Sequence, residues 1–168
     1  MSSGLLVLLL LCGLGIGGNI FCDAQIVECP PTWTLYQVYC YQYENTEMTW
    51  YDAEQYCVDH DGHLASFHDK DQYDFIRRLI VEATGTNTKC WVGGIKRFPN
   101  ENTSSPLPEM PVWMWSDGSN FSFTQWANGK PNNLGGHAPC MDINRNGEDY
   151  VDDDECVLKN AFVCAKDA

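Results

Sequence analysis

A chain of 168 residues with 10 Lys and Arg against 23 Asp and Glu, and hence a net charge of −13, is long enough for one domain with a real core. The acid excess excludes nucleic acid and anionic membrane surfaces as natural partners and suits a cation or a basic surface. From the N-terminus, Leu5 to Ile16 is apolar. That run is too short for the roughly 20 residues that span a bilayer and suits the core of a signal peptide, although no Lys or Arg precedes it. Cys22-Asp23-Ala24 puts small residues where a signal peptidase reads, so cleavage is placed after Ala24; a cut near Gly18 is the alternative and keeps Cys22. Residues 1–24 are read as a signal peptide and 25–168 as a single domain, secreted and without a membrane anchor.

Trp33 to Tyr43 is rich in aromatic and β-branched residues and predicts a strand or hairpin. Thr49-Trp50-Tyr51-Asp52 has the spacing of a helix start, and that helix runs to about His60 and stops at Gly62. A second helix is predicted from Lys70 to Ala83. Tyr73, Ile76, Leu79, Ile80 and Ala83 form its apolar face, with Asp71, Asp74, Arg77 and Arg78 toward water. Beyond it, short strands (Cys90–Gly93, Val112–Trp115, Cys140–Ile143, Ala161–Ala165) alternate with long loops. Ile95 to Pro111 holds four prolines and reads as an exposed loop. Asn102-Thr-Ser and Asn120-Phe-Ser match the N-glycosylation acceptor pattern. Two helices followed by a loop-rich sheet predict an α+β fold.

In an exported chain, Cys29, Cys40, Cys57, Cys90, Cys140, Cys156 and Cys164 read as a disulfide framework with one thiol over. Spacing alone does not choose the pairing. Asp142-x-Asn144-x-Asn146-Gly147 copies the start of an EF-hand loop. Its twelfth position is Asp153 instead of Glu, its eighth is Asp149 instead of an apolar residue, and strands flank it; a polar hairpin loop accounts for it better. His60, His63 and His68 match no common zinc spacing and read as solvated. No nucleophile motif is present, so no enzyme is expected. The tryptophans read as core.

These segments resemble the C-type lectin-like domain across the whole mature chain. The carrying motifs are Cys29-Pro-Pro-Thr-Trp33, Met48-Thr-Trp-Tyr-Asp-Ala-Glu-Gln-Tyr-Cys57, Gly62-His-Leu-Ala-Ser66 and Trp91-Val-Gly-Gly94. Trp113-x-Trp-Ser-Asp-Gly118, Lys130-Pro-Asn-Asn133 and Phe162-Val-Cys-Ala165 continue the series. The likeness extends to small secreted fish lectins of the ladderlectin and nattectin kind and to type II fish antifreeze proteins. It implies two helices, small antiparallel sheets and a long-loop region, stapled by Cys29–Cys40, Cys57–Cys164 and Cys140–Cys156. Cys90 is left over, as a small buried residue or as the bridge of a disulfide-linked homodimer.

In sugar-binding relatives a calcium ion bridges protein and sugar. Its ligands are the outer residues of a Glu-Pro-Asn or Gln-Pro-Asp triplet, an acid two residues before the next Cys, and an Asn-Asp pair before the following one. Here the triplet is Lys130-Pro131-Asn132, the acid is replaced by Ala138, and the pair is Asp152-Asp153. Asn132, Asp152 and Asp153 remain as candidate ligands, and Lys130 joins them as a candidate ligand-binding residue or as a counter-ion to Asp152, Asp153 and Asp154. Calcium takes 6–8 oxygens, and Lys130 about 4 Å from it costs on the order of 8 kcal/mol at an effective dielectric near 20. No cofactor is expected, and any calcium held is held weakly. The resemblance implies a secreted recognition protein that binds extracellular glycans or glycoproteins through the face around Asn132 and the Asp152 to Glu155 cluster. The alternative is a calcium-independent protein-binding or ice-binding domain without sugar binding.

Overall fold

The computed structural model describes residues 7–14, 20–97, 112–122 and 126–168. Strands β1 (Val7–Leu14) and β2 (Ile20–Val27) pair antiparallel as a separate two-stranded sheet. The rest of the fold is one eight-stranded sheet with two helices. Along the chain run β3 (Thr34–Tyr36), β4 (Tyr39–Met48), α1 (Trp50–Asp59), β5 (His63–Leu64), α2 (Lys70–Thr84), β6 (Cys90–Arg97), β7 (Val112–Trp115), β8 (Cys140–Ile143), β9 (Val151–Asp154) and β10 (Asn160–Asp167). The order across the sheet is β3-β4-β10-β6-β8-β9, with β5 added to β10 and β7 to β6.

The architecture is α+β, but the expected set of small antiparallel sheets is corrected in one respect. β10 lies parallel to β6, through Ala161 opposite Cys90 and Phe162 opposite Trp91. That pairing joins the β3-β4-β10 half to the β6-β8-β9 half, so the sheet is single and mixed. A parallel pair needs a long crossover, and residues 98–159 supply it. No helix among the described residues is long and apolar enough to cross a membrane.

Both helices start on side-chain caps. Thr49 Oγ1 accepts from the Asp52 N–H at 3.2 Å, and the Asp69 carboxylate accepts from the Gln72 N–H at 2.8 Å; each such cap is worth about 1 kcal/mol. Gly85 ends α2 with φ 77°, a left-handed conformation that favours glycine. Ala83 was expected on the apolar face and is exposed instead. Arg77, expected in water, leans against the domain: its Nε donates to Asn144 Oδ1 at 2.8 Å, and its guanidinium pairs with Asp149 at 2.9 Å.

The period of 2 along the inner strands divides the core. Cys90 and Val92 of β6, with Ala161 and Val163 of β10, face α2 and pack with Ile76, Ile80, Phe67, Trp115, Met141, Ile143 and Val151. Trp91, Phe162 and Cys164 face the other way, onto Trp50, Ala53, Cys57 and Leu64 around α1. Each indole in this second cluster also finds an acceptor. Trp50 Nε1 donates to Val92 O at 2.8 Å and Trp91 Nε1 to Met48 O at 3.0 Å. A fully buried tryptophan of this kind contributes about 4–6 kcal/mol by area. Disulfides join Cys29 to Cys40, Cys57 to Cys164 and Cys140 to Cys156. They tie the entry to β4, α1 to β10, and β8 to the segment after β9.

Candidate functional site

β8 and β9 pair antiparallel, with Asp142 opposite Asp152 and Cys140 opposite Asp154. Alternation therefore puts Asp142, Asp152 and Asp154 on one face, and Met141, Ile143, Val151 and Asp153 on the other. β9 is a strand that composition did not reveal, since three successive aspartates disfavour sheet. Partners outweigh that propensity. Asp152 and Asp153 are fully buried and Asp154 is 7% exposed, so these carboxylates do not open to solvent as the expected recognition face. What the surrounding loop exposes is Asn132, Leu134 and His137.

Each buried carboxylate has an identifiable neighbour. Lys130 Nζ lies 2.5 Å from Asp152 Oδ1, and Arg145 Nη1 donates to Asp152 Oδ2 at 2.6 Å. Burial alone would raise the Asp152 pKa; the bonds from Lys130, Arg145 and the Asp153 N–H overcome it and hold the group below its ordinary value. Asp153 accepts the backbone N–H of Asn132 at 2.8 Å and of Asn133 at 2.6 Å, one on each oxygen. The Asn133 carboxamide oxygen in turn accepts the Ala138 N–H at 3.0 Å. The loop from Lys130 to Ala138 is thus pinned to β9 through Asp153. Lys89 Nζ contacts Asp154 at 2.6 Å and lies 5.6 Å from the Trp91 ring centre.

Asp142 is the exception. It is fully buried, neither of its oxygens accepts a hydrogen bond, and Lys89 approaches only to 3.3 Å. Burial, partly opposed by Lys89 and reinforced by Asp154 and Asp152, pushes its pKa up to about 7. Sequence reading grouped Asp142 with an EF-hand-like pattern and did not link it to Asp152. Lys89 and Arg145 went unnoticed, for they lie 65 and 7 residues from their partners.

The other candidates fall elsewhere. Ala138 is fully buried and offers no side-chain oxygen. Both oxygens of Asp152 are held by cations and both of Asp153 by amides, so the residues as arranged do not fit the calcium ion that the resemblance implies. Cys90 is fully buried, and its thiol donates to Thr88 O at 3.3 Å. That is the small buried residue of the two alternatives, and an interchain bridge through Cys90 would require β6 to open. Asn120 is exposed, whereas Asn102 lies outside the described residues. His63 Nδ1 sits 2.6 Å from Glu54, and His60 and His68 are exposed; the three do not converge.

The family profile described as Lectin C-type domain matches residues 46–166. The galactose-specific lectin nattectin of Thalassophryne nattereri is 34% identical over 162 residues, covering 95% of this chain and 92% of its own. Ladderlectin of Oncorhynchus mykiss is 33% identical over 129 residues, covering 77% of this chain and 63% of its own length. Among solved structures, a calcium-independent type II antifreeze protein superposes with TM-score 0.68 at 30% identity, covering 84% of this chain and 95% of its own.

Proposed function

This chain belongs to the C-type lectin domain family, and from that membership we propose that it is an exported recognition protein that binds extracellular carbohydrate without calcium. The observation that carries the reading is the Lys130 ammonium 2.5 Å from Asp152 Oδ1. A fixed cation there stands in for the charge of a metal, and the Arg145 guanidinium on the second oxygen completes the neutralisation. With the loop pinned by Asp153, the exposed groups around Asn132 are held in place before any ligand arrives, which lowers the ordering cost of binding. The likeness to nattectin, which is described as galactose-specific, supports a glycan as the target.

A glycan array read with calcium and again with a chelator tests this. Equal binding in both is expected, with calorimetry showing no uptake of calcium and Asn132→Ala weakening glycan binding about tenfold. Glycan binding lost on chelation, or tight calcium binding abolished by Asp153→Ala, would sink the proposal. A second reading rests on the likeness to the calcium-independent antifreeze protein: ice-binding through the same face. Thermal hysteresis with a silent array would favour it.

A further inference from the structure

A second concavity lies elsewhere on the domain, a cleft of about 440 Å³ between the start of β4, the α1–β5 turn, the end of β10 and the turn after β7. None of its lining residues belongs to the Lys130–Asp154 cluster. Its size falls within the roughly 300–1,000 Å³ of small-molecule sites. Two lining side chains are almost wholly buried as residues, and each keeps a donor that no protein acceptor takes up among the described residues. Tyr41 is 2% exposed, and its hydroxyl makes no hydrogen bond there. Gln72 is 5% exposed; its Oε1 accepts the His68 N–H at 2.8 Å, and its Nε2 has no acceptor. Both donors are held in place by the packing around them, so a ligand oxygen in the cleft can accept from them at little ordering cost.

The Asp117 carboxylate also lines the cleft, and its geometry is already set. Ser66 Oγ donates to it at 2.5 Å and the Ser119 N–H at 2.8 Å. The Tyr39 ring forms one wall, meeting Tyr41 edge-on with ring centres 6.4 Å apart. The remaining charge decides the ligand class. Asp61 and Asp167 also line the cleft, while Lys166 is turned away to His60 O at 3.0 Å and the Trp33 ring at 4.5 Å. An anion is therefore repelled. A simple ammonium could satisfy the carboxylates but has no oxygen to accept from Tyr41 and Gln72. A sugar hydroxyl does both, since it donates and accepts.

We propose that the cleft formed by Tyr39, Tyr41, Ser66, Gln72 and Asp117 is a second, metal-free site for a neutral saccharide residue. It is independent of the long-loop face, so each site can fail without the other. The test uses the secreted full domain in chelator, titrated with methyl galactoside and methyl mannoside and followed by amide NMR. Shifts at the Gln72 side-chain amide and the Ser119 N–H are expected from at least one sugar at millimolar concentration. Tyr41→Phe, which keeps the ring, and Gln72→Glu, which keeps the acceptor for His68, should each weaken binding roughly tenfold. Lys130→Ala should leave it unchanged. No shifts at these amides, no effect of either cleft variant, or loss of binding in Lys130→Ala alone would overturn the proposal.

Discussion

Asp142 and Asp152 face one another across two strands, and their surroundings shift their pKa values in opposite directions. The Asp152 pKa is held below its ordinary value in the folded protein, so its contribution to stability is present above the unfolded value near 4 and is lost as pH falls through the folded one. For Asp142, raised from 3.8 to about 7, the folded chain keeps a proton that the unfolded chain has already released. Between about pH 4 and 7 the unfolded state therefore binds fewer protons, and stability declines as pH rises, levelling off above 7. The size of that decline is on the order of 3 kcal/mol. Asp142→Asn should remove it, and urea unfolding of both proteins at about pH 5 and pH 8 checks this. Parallel profiles would mean that Lys89 neutralises Asp142 completely.

At the scale of elements, β6 is the strand on which the halves of the sheet meet, and its glycines are set by contact. A Cβ on Gly93 would lie 2.5 Å from Leu64 O and 2.9 Å from Ser116 Oγ. The carbonyl belongs to β5, which is held on β10 by the pairing of Leu64 with Cys164, so it has little room to move. Gly93→Ala should cost about 2–3 kcal/mol, read as a lower urea midpoint at unchanged slope. An unaltered midpoint would show that β5 yields. The Trp-Val-Gly-Gly run was legible as a core strand, but the reason for its glycines was not, because Leu64 is 29 residues earlier and only the fold brings it there.

For the whole molecule, export and cross-linking make one testable set. With cleavage after Ala24, the secreted protein begins at Gln25 and carries one free thiol, Cys90. Since that thiol is fully buried and burial pushes its pKa well up, it should resist a thiol reagent in the native state and react once per chain after unfolding. Two reactive thiols would indicate a cut near Gly18 that retains Cys22. A dimer on non-reducing gels that Cys90→Ser abolishes would mean that β6 opens in the mature protein. The Cys57–Cys164 bridge spans 107 residues and on the chain-entropy model contributes about 4.7 kcal/mol, which helps a sheet assembled from distant strands.

By itself the sequence determined the α+β class, both helices and most strands, because periodicity and caps are local properties that hold within a few residues. The family motifs carried the rest of the fold. They also marked Lys130 and Ala138 as departures from the spacing that the resemblance implies. Only the tertiary structure decided what surrounds those two positions. Burial of Asp152 and Asp153, the reach of Lys89 and Arg145 to the carboxylates of β9, and the parallel pairing of β6 with β10 all depend on contacts between remote segments. The cleft beneath Tyr41 and Gln72 is of the same kind. A helix residue reads as solvated or core from its spacing, but whether its polar end meets a protein partner or a cleft is settled only once every neighbour is in place.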